Sequence, residues 1–416
     1  MLPTPCLRQS NPQKHLDRRK EFYVKRPHLM LVSISAVLAV LVVGQTAMSA
    51  APNVLILLAD DMGFGDPGCN NPDSRIPTPH IDELARQGMR FTDAHAPAAW
   101  CTPSRYGLLT GRYPWRSKRR LEGGRIEPGR MTMASLLAQH GYRTACIGKW
   151  HLGFAESAVR RDFDKPFSGG PRSLGFDYFY GMHASLDIPP YYWIENETCV
   201  EAPTDTTTDH HSPEVTPIQG AFWRGGGMAP SFRHEMVLSQ IADRATQFLE
   251  QHHRESADDP FLLYVPLTAP HTPWLPHSPF VGRSQAGEYG DFTVQVDAVL
   301  GQLVTALDRL EMSEDTLVIF SSDNGPARAS KPTELALSHD TATGAGFNIA
   351  ASKGITGGRK GHRAALFEGG ICVPFIARWP GKIAADTIDD ESLISAVDLL
   401  PTFCELAGAK LPTTYQ

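Results

Sequence analysis

Five short segments of this chain set reactive or charged side chains beside turn-forming residues. The most informative is Cys101-Thr-Pro-Ser-Arg-Tyr-Gly-Leu-Leu-Thr-Gly-Arg112, with Cys101, Pro103 and Arg105 alternating ahead of Leu109-Thr110-Gly111-Arg112. An ionised cysteine is a nucleophile; a buried neutral one is usually just a small apolar residue. Asp60-Asp61 is an acidic pair, and Asp323-Asn324 pairs an acid with an amide far along the chain. All four offer oxygen ligands only, which suits a hard cation such as Ca2+ or Mg2+ and not a soft one. An acidic pair by itself more often caps a helix or makes a turn. Gly148-Lys149-Trp-His151-Leu-Gly153 and Ala269-Pro-His271-Thr-Pro273 add a lysine and two histidines. With a pKa near ~6.5, histidine can hold or release a proton at neutral pH.

What positions these residues is legible as a pattern of apolar runs. Asn53–Ala59, Thr144–Gly148, Phe261–Leu267, Leu317–Ser321 and Val373–Trp379 read as strands buried on both faces of a parallel sheet. Helical patterns fall between them at Ile81–Met89, Met131–His140 and Ser395–Ala407. Val296, Leu300, Leu303, Leu307 and Leu310 step by four and three along one helix face. Alternating strands and helices predict a layered α/β domain. Ligands gather at the carboxyl ends of parallel strands. Asp60-Asp61 and Asp323-Asn324 each follow a strand directly, so two distant segments converge on one edge. Lys149 and His151 alternate after the second strand and can reach the same edge. Cys101 is expected to open a short helix, Pro103–Leu109, whose N–H groups favour an anion.

These strings, in this order, resemble the formylglycine-dependent type I sulfatases, the arylsulfatase and N-acetylgalactosamine-6-sulfatase-like group of the alkaline phosphatase superfamily. The resemblance runs from residue 52 to 410. It implies an alkaline-phosphatase-like α/β/α sandwich with a mostly parallel central sheet. It implies that Cys101 is oxidised to formylglycine (3-oxoalanine) by a maturation enzyme, and that Ca2+, with Mg2+ as the other candidate, sits among Asp60, Asp61, Asp323, Asn324 and the modified Cys101. A hydrated aldehyde has a built-in exit: after taking the sulfuryl group it expels sulfate by re-forming its carbonyl. By the same resemblance Arg105 holds the hydrate and Lys149 binds hydrate and sulfate. His151 is the base that promotes sulfate release, His271 binds sulfate and protonates the leaving alcohol, and Asp323 accepts the nucleophile's proton. The family's second sulfate-binding lysine precedes a Tyr-Glu-Gly-Gly segment, here Phe367-Glu-Gly-Gly370. Register puts Arg363 at that position, with Lys360 as the rival; arginine would grip sulfate with a planar fork and not as a point charge.

The expected activity is therefore sulfate ester hydrolysis, on sulfated polysaccharide or glycosaminoglycan sugars. The segment Leu186-Asp-Ile-Pro-Pro-Tyr-Tyr-Trp193 offers aromatic faces for sugar rings, or else packing for the insertion that holds it. Two other readings stand beside it: a phosphonate monoester or phosphodiester hydrolase sharing the aldehyde, and an inactive, truncated sulfatase-like binding protein.

The chain has 416 residues and a net charge of −6, with no long basic stretch to bind nucleic acid. Residues 1–50 read as a signal peptide: a basic region, the apolar run Leu29–Val43 and small residues at Ala47–Ala51. Secretion or export to a periplasm is expected, with an uncleaved anchor as the alternative and no other membrane contact. Residues 51–416 form the catalytic domain, interrupted at about 155–235 by a loop-rich insertion. Arg328–Gly361 reads as loop. The smaller C-terminal subdomain of the family is expected to be largely missing. Seven cysteines show no metal-like spacing and require no disulfide.

Overall fold

The computed structural model describes residues 51–117, 126–157, 162–213, 218–327 and 356–411. The expected signal peptide, most of the 328–361 loop and the last five residues lie outside them. Fourteen strands are present among the described residues. β1 (Asn53–Asp60), β2 (Met89–Phe91), β3 (Ala94–His95) and β4 (Arg143–Lys149) come first. β5 (Tyr178–Met182), β6 (Ile194–Glu195), β7 (Thr198–Cys199), β8 (Asp205–Thr207) and β9 (Gly226–Met228) follow. β10 (Phe261–Pro270), β11 (Thr316–Ser322), β12 (Phe375–Arg378), β13 (Thr387–Asp389) and β14 (Ile394–Ser395) complete the set.

Ten of them form one sheet in the order β13-β2-β12-β11-β1-β10-β4-β5-β6-β7. Its centre, β11-β1-β10-β4-β5, is parallel throughout. The reason lies in the side chains: Leu55, Ile56 and Leu57 of β1 are fully buried, as are Phe261, Leu262 and Leu263 of β10. Such strands are stable only with apolar cover on both faces. One layer of cover comes from helices Pro79–Gln87, Val237–Glu255 and Gly287–Arg309, the other from Cys101–Thr110, Met133–Ala138 and Leu399–Leu406. Asp297, on the long helix, accepts the backbone N–H of His80 and Ile81 at 3.0 and 2.8 Å. It thereby satisfies two donors at the open start of Pro79–Gln87, a cap supplied from more than 200 residues away.

Two expectations need correcting. The Val373–Trp379 run does form a strand, but β12 lies antiparallel to β11. The stretch 155–235 is not all loop: β5 pairs in parallel with β4, and β6 and β7 extend the sheet beyond it. Its tyrosines and glycines hide a strand because Tyr178–Met182 alternates no polar face that would announce one. The helix Val237–Glu255, beginning just after that stretch, was not singled out by the periodicity. Among the described residues, no helix is long and apolar enough to cross a membrane.

Candidate active site

Four parallel strands end at the same edge, and each delivers a titratable side chain there. β1 ends in Asp60, β4 in Lys149, β10 leads into His271 and β11 into Asp323. Gly148, at φ 138°, lets β4 press against its neighbour: a Cβ there would lie 2.0 Å from the carbonyl oxygen of Pro266. This close approach brings Lys149 Nζ to 2.5 Å from Asp60 Oδ2, with both side chains fully buried.

Around this pair the expected residues assemble. Arg105 Nε donates to Asp323 Oδ2 at 2.9 Å, its Nη1 donates to the carbonyl of Lys149 at 3.0 Å, and its Nη2 lies 3.7 Å from Asp60 Oδ1. The Asp61 N–H donates to Asp323 Oδ1 at 3.2 Å, and Asn324 Nδ2 donates to Asp61 Oδ1 at 2.7 Å. Asp61 and His151 both sit in the left-handed region, at φ 65° and 55°. Such a conformation costs non-glycine residues energy and persists where the surroundings impose it. Cys101 is the first residue of its helix and completely buried, two residues earlier than the expected helix start.

Arg363 closes the site from the far side of the chain. Its Nη1 donates to Asp61 Oδ2 and to His271 Nε2, both at 2.9 Å, and its Nη2 lies 3.7 Å from Cys101 Sγ. His271 Nδ1 stands 2.6 Å from the carbonyl of Thr272, so this nitrogen carries the proton and Nε2 faces the site. Lys360 is not brought in: its ammonium lies over the exposed Phe367 ring, 4.1 Å from the centroid.

Charge decides protonation here. Burial opposes ionisation of Asp60, yet Lys149, His271 and Arg105 outweigh it and hold this carboxyl far below the usual range. Asp323 is pushed up to about 7 by burial and by the Asp60 charge beside it. Burial also raises the Cys101 thiol, so an unmodified Cys101 is a neutral thiol. His151 is held well below its ordinary value by burial and then by Lys149 and Arg105, which leaves the ring neutral. Its Nδ1 finds no hydrogen-bond partner.

A family model for sulfatases matches residues 52–409. The chain belongs to the sulfatase family, the sulfuric ester hydrolases. It is 33% identical over 400 residues to an N-acetylgalactosamine-6-O-sulfatase of Bacteroides thetaiotaomicron, covering 88% of this chain and 74% of that one. It is 34% identical over 402 residues to human arylsulfatase A, covering 93% and 68% respectively. A solved sulfatase structure from work on glycosaminoglycan metabolism in Bacteroides thetaiotaomicron superposes with a TM-score of 0.72 at 30% identity, covering 88% of this chain and 79% of that one. The alkaline-phosphatase-like α/β architecture expected from the motifs is the one found.

The oxygen set of this sulfatase fits a hard divalent cation. Ligand atoms of Asp60, Asp61 and Asp323 lie within 4.8 Å of one another, all three buried. Asp60 Oδ1 and Asn324 Oδ1 are buried oxygens with no hydrogen bond. Buried oxygens are rarely left so unless something else satisfies them. A cation among them would also relieve the repulsion that raises Asp323.

A cavity of about 430 Å3 opens over Arg363 and His271. Its walls hold residues the motifs missed: Trp100, Phe222 and Trp274 supply aromatic surface, and Asp187 pairs with Arg224 at 2.5 Å. Of the two parts considered for the aromatic segment 186–193, the structure shows the packing one. Tyr191, Tyr192 and Trp193 are buried, with Trp193 stacked on Tyr180; within that segment it is Asp187 that reaches the cavity. Position next to the Cys101 motif was the available signal for Trp100. Phe222 and Arg224 lie in aperiodic sequence and carried none.

Proposed function

We propose that this sulfatase hydrolyses sulfate esters on sulfated sugars, with Arg363, His271, Lys149 and His151 serving a formylglycine at position 101. The observation that carries the proposal is the meeting of Arg363 and His271 in an aromatic-walled cavity, with the buried Cys101 Sγ 3.7 Å from Arg363 Nη2. Oxidised to formylglycine, position 101 supplies a hydrated aldehyde nucleophile that can release sulfate by re-forming its carbonyl. Held by Asp60, Asp61, Asp323 and Asn324, Ca2+ or Mg2+ supplies fixed positive charge.

The remaining steps belong to the protein. Arg363 binds sulfate oxygens through its planar fork, and Lys149 adds a second positive charge. Arg105 holds Asp323 in place, and Asp323 takes the nucleophile's proton. His271 presents Nε2 to the leaving alcohol and gives it a proton; the imidazole needs a second proton to do so, because Nδ1 is committed to Thr272. Neutral His151 takes a proton at Nδ1 when sulfate departs. Trp100, Phe222 and Trp274 offer faces to a sugar ring, and the Asp187–Arg224 pair offers polar contacts to its hydroxyls. A relative named for N-acetylgalactosamine 6-O-sulfate supports the substrate class. Export through the N-terminal segment fits a substrate of this kind.

A desulfation panel tests the proposal. Sulfated mono- and oligosaccharides are expected to release sulfate with kcat/KM well above that for small aryl sulfates. Turnover of aryl sulfates alone sinks the sugar assignment, and faster turnover of a matched aryl phosphodiester favours the phosphodiesterase alternative. Peptide mass spectrometry across Cys101 separates an active enzyme from an inactive binding protein, since thiol and aldehyde differ in mass.

Metal removal is a second check. Chelator treatment is expected to abolish turnover and lower Tm, with Ca2+ or Mg2+ restoring both. At a hundredfold excess over Kd, rebinding contributes about 2.7 kcal/mol of stability. A chelated protein with unchanged Tm and activity would rule the oxygen set out as a cation site.

A further inference from the structure

A second group of ligand-bearing side chains lies apart from the catalytic set. His95 ends strand β3, and Glu368 and Cys372 stand four residues apart at the two ends of the short helix Glu368–Ile371. One ligand atom from each of the three lies within 4.8 Å of the others. His95 Nε2 is 2.9 Å from Glu368 Oε2 and 3.7 Å from Asp93 Oδ1. Its Nδ1 is buried without a hydrogen-bond partner. His95 and Cys372 face each other across an antiparallel bridge. Cys372 is 1% exposed; its thiol lies 3.9 Å from the carbonyl of Thr92 and beside the Arg359 side chain.

We propose that His95, Glu368 and Cys372 form a second metal site, for a zinc-class ion. The donors are one nitrogen, one oxygen and one sulfur. This mixed, borderline-soft set selects Zn2+ over the hard cations that suit Asp60, Asp61 and Asp323. Three protein ligands leave a fourth tetrahedral position. A cavity of about 910 Å3, lined in part by His95 and Glu368, opens beside them and gives water access to it.

The location gives the ion a purpose. Ala96 N–H donates to Ile371 O at 2.8 Å, Val373 N–H to Ala94 O at 3.0 Å and Ala364 N–H to Ala99 O at 2.7 Å. The segment leading into Cys101 is thus laced to the segment running on from Arg363. An ion on His95, Glu368 and Cys372 would brace those two segments against each other. Burial pushes the Cys372 thiol up to about 11, while Arg359 beside it favours the thiolate. Metal loading therefore releases the thiol proton to solvent and strengthens as pH rises.

Co2+ is the probe, because a thiolate ligand gives it an intense near-ultraviolet charge-transfer band. The full-length Cys101→Ser protein removes the catalytic-site thiol, and excess Ca2+ keeps the oxygen set filled, so the result does not depend on the sulfatase mechanism. One equivalent of Co2+ is expected to give the band together with visible bands of tetrahedral cobalt, and Zn2+ to bleach both. Cys372→Ser in that background should abolish the charge-transfer band, and His95→Ala should weaken Co2+ binding at least about tenfold. Absence of the band in the Cys101→Ser protein, or its persistence at equal intensity in the Cys372→Ser variant, overturns the proposal. Should Cys372→Ser fold poorly, thermal melts replace it. Zn2+ is then expected to raise Tm in the parent and not in His95→Ala, and equal shifts in both overturn the site.

Discussion

Cys101→Ala is expected to reduce sulfatase turnover by at least about 10^4-fold, on the scale seen when a covalent nucleophile is removed, with little change in Tm. The position is buried at the first turn of the helix Cys101–Thr110, where alanine fits the space and is the best helix former. Loss of activity would therefore report chemistry and not unfolding, and a matched melt verifies this. Cys101→Ser makes the test sharper. A serine hydroxyl can accept a sulfuryl group once, but it has no carbonyl to re-form and so no internal route for losing sulfate. The serine variant is expected to stop after one turnover, seen by intact mass as a stable sulfated protein. Steady multiple turnover by either variant would remove position 101 from the nucleophile's role.

Arg363→Ala is expected to lower kcat/KM by about 10^2- to 10^3-fold, the range for losing a desolvated, charge-assisted contact of roughly 3–4 kcal/mol. The side chain does three things at once. It touches Asp61, His271 and Cys101, and alanine leaves the buried Asp61 carboxylate without its guanidinium. Some loss of stability is expected for that reason, so Tm accompanies the kinetics. Arg363→Lys should recover part of kcat/KM, because a point charge remains while the fork is lost. Lys360→Ala is the control: an exposed ammonium over Phe367 should change kcat/KM by no more than about threefold, as exposed charges contribute little. Equal effects of Arg363→Ala and Lys360→Ala would return the two cations to equal standing.

Much of this was legible along the chain because parallel sheets obey a simple rule. Buried strands read as unbroken apolar runs, and their carboxyl ends meet at one edge. Asp60-Asp61, Lys149-Trp-His151, His271 and Asp323-Asn324 each follow such a run, so their convergence was predictable without knowing the strand order. The Cys101 string added the proposed nucleophile. The cap from Asp297 to the helix Pro79–Gln87 was not predictable, since its partners are separated by more than 200 residues and share no local pattern.

The amino-acid order carried the reaction class through its resemblance to the sulfatases, and the residues that would meet at the sheet edge through local hydrophobic patterning, which dictates where each strand ends. Tertiary structure decided what local patterning does not encode: that Arg363 and not Lys360 closes the site, that Tyr191–Trp193 packs the interior while Trp100, Phe222 and Trp274 wall the cavity, and that His95 meets Glu368 and Cys372. These choices rest on aperiodic segments whose conformation is set by contacts made far along the chain. Which side of such a segment faces the cavity becomes visible only once those contacts have formed.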